Sequence, residues 1–364
     1  MIIGNSSCGP MAAKIAAALF LLFTQESLAD EPASQPAATS AEDSQVLQRI
    51  EHNWRARQER VKSFHFVTST RVTIPKEFFK QHRQENGRTE FKDEHYETPR
   101  NQLWVDGNDK MRTDSGKFNP NVPRATNQAI VSQGPRERRV IRGKSEKQLT
   151  TFPNSNELAL GRVFNGTERD STRRTRGVSH PVLALYRSFP AWNDPAPIKW
   201  RVVTTNAIIN RSHYVKIERR SAKADAFEDL WIDPRRDDLI VQRDSKGGDL
   251  LTVTSIEYRP DPTAGWVPTG WTVRSNLAGT PQMIWETTVV DSSINQPIPP
   301  RTFDLTFPPR TFVTDAVSNE HYLLRADGSK RPITKMELAL ERQRKLRFKD
   351  LLDEPGAPSG KEAK

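Results

Sequence analysis

Leu230-Trp231-Ile232-Asp233-Pro234-Arg235-Arg236-Asp237-Asp238-Leu239-Ile240-Val241 sets two apolar runs on either side of a loop built on Asp-Pro. Proline presets φ for a turn and the aspartate before it can accept from its own backbone, so the pattern predicts a hairpin. Further short runs follow at Leu250–Tyr258, Trp271–Asn276, Met283–Val290 and Phe303–Phe307. Each is rich in Val, Ile, Thr and aromatics and is bounded by Gly, Pro, Asp or Asn. From Ala226 to Thr306 the chain therefore reads as an antiparallel meander, with no helix-length segment between runs to support parallel crossovers.

Working outward, the strand pattern extends toward the N-terminus. Phe64, Phe66, Thr68, Thr70, Val72 and Ile74 alternate with His65, Val67, Ser69, Arg71 and Thr73, a period of two that Pro75 stops. Leu103 to Met111 is a second hairpin with Asp106-Gly107 as its turn. Ala129–Gln133, Arg138–Arg142 and Gln148–Phe152 read as further strands, as do Trp200–Thr205, Ala207–Ile209 and Tyr214–Arg219. Lys76 to Glu97 is charged and weakly patterned, either a short helix or an insertion, and Asn154 to Arg176 reads as a basic loop. Leu183 to Phe189, after Pro181, predicts a short helix.

Two longer helices frame this sheet. From about Glu42 to Val61, the residues Val46, Leu47, Ile50, Trp54 and Val61 share one face, with Arg49, Glu51, Arg55, Arg57 and Glu59 filling the rest. Thr334 with Glu337 is a capping-box signature opening a basic helix to about Leu352, where Pro355-Gly356 ends it. The expected fold is α+β and β-rich: a large antiparallel curved sheet, a half-open β-barrel covered by helices, with a C-terminal helical tail. The expected divisions are a signal peptide over 1–29, a flexible linker over 30–43, the β domain over 44–310, an extension with a turn over 311–333, and a basic helix and disordered tail over 334–364.

Location is read from the first residues. Lys14 precedes the apolar run Ile15 to Phe23, and Ser27-Leu28-Ala29 offers small residues where signal peptidase cleaves, so the protein is expected to be periplasmic or secreted after cleavage at Ala29. Met11 makes the better charged leader and is an alternative start. The single cysteine, Cys8, lies ahead of the apolar run, which leaves the mature chain without disulfides, a thiolate nucleophile or a cysteine metal site.

The 364 residues carry a formal net charge of +10, which favours anionic partners. Much of that charge lies between Arg136 and Arg176, where eleven basic residues face five acidic ones. Arg136, Arg138, Arg139, Arg142, Arg173, Arg174 and Arg176 are the candidate patch for anionic head groups. Only Phe152 and Phe164 interleave with it, and export argues against nucleic acid.

No tight histidine ligand pair, G-x-S-x-G, P-loop or dinucleotide glycine pattern occurs, so no cofactor or metal is expected. His82 and His95, among Glu85, Glu90, Asp93 and Glu94, read as solvated charge. Asp233, Asp237 and Asp238 are the one carboxylate group on which a hydrolase would be built, although turn chemistry accounts for the loop without it. The eight tryptophans fall largely on strands, where they either pack a core or line an apolar cavity able to bury acyl chain. Phe64, Phe66, Trp104, Trp271, Val273 and Trp285 are the cavity candidates.

A helix with a central tryptophan, an alternating strand and a long meander, all behind a signal peptide, resembles the LolA/LolB-type envelope superfamily, which includes periplasmic lipoprotein carriers and the sigma-E regulator RseB. Three segments look more closely like a secreted planctomycete family of unassigned role: Trp54-Arg55-Ala56-Arg57-Gln58-Glu59-Arg60-Val61-Lys62-Ser63-Phe64, Leu230-Trp231-Ile232-Asp233-Pro234 and Phe303-Asp304-Leu305-Thr306-Phe307-Pro308-Pro309. The resemblance implies a half-open barrel whose concave face is closed by helices and holds acyl chains. The insertion at Lys76 to Glu97 and the basic C-terminal tail depart from the carrier pattern. The resulting expectation is a non-enzymatic binder of lipid or lipoprotein acyl chains, with an anionic membrane surface or an envelope protein as further partners. An RseB-type sensor or scaffold and a carboxylate-dependent hydrolase are the alternatives.

Overall fold

The structure, a computed structural model, describes residues 40–82, 92–107, 110–115, 137–142, 145–151, 158–165, 181–187, 200–220 and 226–352. The expected signal peptide, the strand at Ala129–Gln133, Arg136, Arg173, Arg174, Arg176 and the residues after Leu352 lie outside them.

Helix α1 (Ala41–Arg60) starts where Ser40 accepts from the Asp43 amide, and it carries Glu42 and Asp43 in its first turn and Arg57 and Arg60 in its last. Both ends thus complement the helix dipole. Strand β1 (Ser63–Ile74) follows directly. After α2 (Lys76–His82) come β2 (Glu94–Asp106), β3 (Lys110–Ser115), β4 (Glu137–Arg142), β5 (Ser145–Thr150) and β6 (Ala159–Asn165). Helix α3 (Pro181–Tyr186) leads into the meander β7 (Arg201–Ile209), β8 (Ser212–Arg220), β9 (Phe227–Asp233), β10 (Leu239–Gly247), β11 (Leu250–Asp261), β12 (Gly265–Leu277) and β13 (Thr280–Ile294). The chain ends with β14 (Thr311–Asp315), β15 (Glu320–Leu324), β16 (Lys330–Pro332) and α4 (Lys335–Arg342).

Among the described residues all sixteen strands form one sheet, in the order β16-β15-β14-β6-β5-β4-β3-β2-β1-β13-β12-β11-β10-β9-β8-β7. Its edges, β16 and β7, do not pair, so the sheet curls without closing. Strand β1 is the seam: it pairs antiparallel with β2 along one side and with β13 along the other. Its irregularities fall in its neighbours, which keeps its own alternation intact. Val67 faces Asp291 and Thr68 faces Val289, so Val290 is the extra residue and is left half exposed.

Four expectations are corrected. Phe303–Phe307 is not a strand: a 3-10 turn at Pro300–Phe303 begins a segment that crosses the sheet, where Phe303 and Leu305 pack with Val140, Leu149, Trp104 and Phe307. The sheet is not wholly antiparallel, because β14 pairs parallel with β6. Strand β6 lies inside the stretch expected to be a basic loop. Its Gly161 sits against Val313 and Phe307, where a Cβ would come within 3.0 and 3.1 Å, so long-range packing rather than local pattern makes it a strand. The basic helix is short: the capping box at Thr334 and Glu337 forms, but α4 stops at Arg342 and Arg344 turns left-handed (φ 58). Residues 311–333 contribute β14, β15 and β16 to the same sheet.

The main core lies on the inner face. It joins Phe64 and Phe66 of β1 to Leu103, Val105, Met111 and Ile141 on one wing and to Ile217, Leu230, Ile232 and Trp271 on the other, beneath Ile50 and Trp54 of α1 and the buried residues of α3.

Gly270 on β12 has Thr287 of β13 at its back, and a Cβ there would stand 2.7 Å from the Thr287 carbonyl oxygen. Gly270→Ala is expected to cost about 1–3 kcal/mol in urea unfolding, since backbone rather than a flexible side chain must shift. An unchanged midpoint would show that the two strands are not held at this spacing.

Candidate functional site

The inner face is built by register. Val72 stands opposite Trp285, and Trp285 opposite Val273; Thr70 stands opposite Thr287, and Thr287 opposite Trp271. Opposed residues in antiparallel strands share a face. Phe64, Phe66, Trp271, Val273 and Trp285 therefore line one surface, as expected. Trp104 does not. It pairs with His65, one residue out of phase with Phe64, so it lies on the outer face. There the His65 ring stacks on it (centroids 4.7 Å, interplanar 7°) and the Arg112 guanidinium lies 5.2 Å from its centroid. Arg112 also grips Asp114 through two bonds and donates to the Thr302 carbonyl, so Trp104 serves to seat the crossing segment.

The inner-face candidates are covered rather than hollowed out. Phe66 is 0 % exposed, Phe64 1 %, Trp271 6 % and Val273 7 %, and Trp285 packs half-buried against the same core. Tyr186 of α3 is the immediate lid, with its ring 5.3 Å from Phe64 and 6.3 Å from Phe66. Two groups hold α3 in place. The Tyr186 hydroxyl donates to the Trp266 carbonyl at 2.7 Å. Arg187 donates to four carbonyls: Nε to Gly107, Nη1 to Val61 and Tyr186, and Nη2 to Lys62, at 2.6–3.0 Å. Burial lowers the Arg187 pKa to about 10, so it remains a cation at neutral pH and its charge is spread over those oxygens.

Helix α1 is docked by the loop that opened the sequence reading. Asp237 and Asp238 are both left-handed (φ 53 and 54), which turns the Asp237 and Asp238 carbonyls toward the helix. Trp54 Nε1 donates to the Asp238 carbonyl at 2.8 Å and Arg57 Nη2 donates to that of Asp237. The Asp238 carboxylate, fully buried, accepts from Arg49 through Nε (3.2 Å) and Nη2 (3.0 Å) and from Asn53 at 2.6 Å. Asp233 accepts from the Arg235 amide and from the guanidinium groups of Arg235 and Arg236. Of the three carboxylates considered for hydrolysis, Asp233 and Asp238 are thus engaged by arginines in turn formation and helix docking.

Arg57 is a second correction. The helix pattern set it among the polar residues, yet it is 1 % exposed and lies in the core. The signal was present in the spacing: Ile50, Trp54, Arg57 and Val61 are separated by four, three and four, the stripe of a buried helix face. Tyr258, whose hydroxyl donates to the Ile240 carbonyl at 2.7 Å, and Tyr186 lie beside it. Arg187 carried no such pattern, because three of its four partners come from two distant turns, at Val61-Lys62 and at Gly107.

Of the arginine patch, Arg138, Arg139 and Arg142 are described, and they do not form one surface. Val140 packs in the outer cluster and Ile141 in the inner core, so Arg138 and Arg142 point outward and Arg139 inward. Arg142 pairs with Asp304 at 3.3 Å, Arg138 lies 3.8 Å from Asp114, and Arg139 pairs with buried Glu146 at 3.2 Å.

Toward the far end of β8 to β13 the inner face becomes polar. Glu228 is flanked by Arg219 and by Arg243 at 2.6 Å, with Thr252, Thr254 and Ser275 buried alongside. Burial pushes the Glu228 carboxyl up, but the two arginines outweigh it and hold it below the usual range. On the outer face an open groove of about 320 Å³ is lined by Ser69, Arg71, Glu97, Glu286 and Thr288. No group of three His, Cys, Asp or Glu side chains able to hold a metal occurs among the described residues, and His95 meets Thr73 at 3.0 Å. No helix among them is long and apolar enough to cross a membrane.

No family model and no curated protein sequence matches the chain. In the course of its backbone it is similar to several solved structures. A LolA superfamily protein from Nitrosomonas europaea aligns over 70 % of this chain and 97 % of its own, at 12 % identity and TM-score 0.40. A domain described as an outer membrane lipoprotein-sorting protein, from Vibrio parahaemolyticus, covers 70 % and 94 % at 11 % identity and TM-score 0.41. A DUF1329 family protein from Desulfovibrio piger covers 70 % and 97 % at 7 % identity and TM-score 0.38. Residue roles do not carry over at such identities.

Asp238→Ala is expected to cost about 2–3 kcal/mol in chemical unfolding and to release α1, because it strips charge-assisted bonds from Arg49 and Asn53. Acid behaviour follows from Glu228 and Asp233. Asp233 is also held below its ordinary value: burial raises it, but bonds from Arg235 and Arg236 prevail. A folded pKa below the unfolded one contributes stability above the unfolded value, and that stability is lost as pH falls through the folded value. Stability should therefore drop below about pH 4. Glu228→Gln and Asp233→Asn should be weaker than wild type at pH 7 but lose less on acidification, as read from urea midpoints at each pH.

Proposed function

We propose that this chain is an exported, non-enzymatic binder that shelters the acyl chain of a lipid or lipoprotein on the inner face of its sheet. The supporting observation is the shared face of Phe64, Phe66, Trp271, Val273 and Trp285 on a sheet with open edges, covered by helices and not by a second sheet. In the state described here Phe64 and Phe66 lie under α3, so an acyl chain takes the place of that helix. The magnitudes are compatible. Lifting α3 re-exposes Val182, Leu183, Leu185 and Tyr186, at about 2 kcal/mol each. A chain of about a dozen methylenes returns roughly 10 kcal/mol. The two apolar terms are of similar size, and the Tyr186 and Arg187 bonds favour the covered state in the absence of a guest.

The test is native mass spectrometry and solvent extraction of the purified mature protein, which should yield acyl lipid, together with a tryptophan fluorescence response to a fatty-acyl probe. Trp285→Asp, at the half-buried margin of the face, should weaken the probe about tenfold or more while unfolding stays cooperative. Repeated absence of lipid with no probe response counts against the reading.

A second reading, an envelope sensor or scaffold that binds a protein, is favoured by the edge strand β7. It runs nine residues without proline and exposes Val203 (44 %) and Ile208 (62 %). The other edge, β16, has three residues including Lys330 and Pro332, the usual blunting of a sheet edge. A single protein partner that survives delipidation in envelope cross-linking would favour it over lipid binding.

A further inference from the structure

The core holds two buried arginines that use their donors differently. Arg187 places its guanidinium among four carbonyl oxygens and is saturated. Arg57, 1 % exposed, donates Nη2 to the Asp237 carbonyl, but its Nε is buried without a hydrogen-bond partner, and among the described residues no carboxylate is ion-paired with it. The Asp237 charge favours its protonated form, but burial outweighs it, and the phenols beside it do not neutralise it. Tyr186 and Tyr258 have committed their protons to the carbonyls of Trp266 and Ile240, and burial pushes both phenols up, so they stay uncharged. The contrast with the adjacent loop is sharp. There Asp238 has Arg49, and Asp233 has Arg235 and Arg236. Burial weakens Arg57's hold on its proton, the mark of a charge held in apolar surroundings. A buried cation with no ion pair is costly, and an unfilled buried donor is an unsatisfied half of a pair.

We propose that Arg57 Nε receives the carboxylate of a single-chain fatty acid whose tail lies along the inner face; this rests on the acyl-binding reading above. The geometry selects the head group. Arg57 is buried beside Tyr186, whose ring meets Phe64 and Phe66, so a head group anchored on it leads the chain toward that face. One free donor edge suits a single negative charge. The Tyr258 phenol and the Asp237 carbonyl and carboxylate, which stay in place when α3 lifts, would repel a doubly charged phosphate more than a single charge. Arg60 stands close behind, its guanidinium seated against Gly265, where a Cβ would come within 2.9 Å of Nη2, and Arg236 lies 5.5 Å from the Trp266 ring centroid. Both add positive potential at this end without entering the core.

The experiment uses the full mature chain and three probes of matched chain length: a fluorescent fatty acid, the corresponding fatty alcohol, and a lysophosphatidate as competitor. The wild type should bind the acid at least about tenfold more tightly than the alcohol at neutral pH, the worth of one charge-assisted bond in a buried site. The lysophosphatidate should compete less well than the acid. Arg57→Gln should bind acid and alcohol alike, and Arg57→Lys should keep part of the preference. Equal binding of acid and alcohol by the wild type, tighter binding of the phosphate, or an undiminished preference in Arg57→Gln would overturn the assignment while leaving acyl binding intact. Binding of none of the three would instead count against acyl binding itself. If Arg57→Gln fails to fold, the wild-type ratio still decides.

Discussion

Strand β1 is hydrogen-bonded along both edges, and that double pairing holds the two wings of the molecule together. On one side lies β2, its near neighbour in sequence; on the other lies β13, which the chain reaches only after completing the meander. The buried hydroxyl pair Thr70 and Thr287, 2.9 Å apart and 217 positions apart, marks the join. A slip of one residue along either edge would exchange the faces. Phe64 and Phe66 would meet solvent, and His65 and Arg71 would meet α3. The irregularities that a curled sheet requires are accordingly carried by β2 and β13, and β1 itself runs without interruption.

Charge is allocated with the same economy. The chain is rich in arginine, and most of the described buried carboxylates are answered by one: Asp238 by Arg49, Asp233 by Arg235 and Arg236, Glu228 by Arg219 and Arg243, Glu146 by Arg139. A basic composition here is in part internal structure and not a surface offered to anions. Such pairs contribute modestly in net terms, yet removing one partner leaves a buried charge that is expensive. They define where α1 and the strand ends must sit. Arg187 extends the device to backbone oxygens, clasping two turns and the end of α3 with one side chain. Arg57 differs from these in having no ion pair among the described residues.

The inner face is then a filled site and not an empty one. Its apolar residues are packed by α3 and α1, and a guest would enter by exchange for helix, with apolar terms of similar size on both sides. The polar margin around Glu228 limits how far along the strands an apolar chain can extend with profit.

Much of this was legible in the residues themselves. Alternation along Ser63 to Ile74, the Asp-Pro turn at Asp233-Pro234, the caps at Thr334 and Glu337, and the Trp54 stripe are local patterns governed by local geometry. They set the strands, the turns and the helix that covers them. Phe64 and Phe66 share a face because period two is a property of one strand alone. The tertiary structure decided what depends on register between distant segments. It put Trp104 on the other face, drew Ala159–Asn165 into the sheet through parallel pairing with β14, made Phe303–Phe307 a crossing strap, and buried Arg57. No local pattern states which strand a strand will meet. Pairing energy is shared between segments far apart in sequence, so those outcomes existed only once the chain had closed on itself.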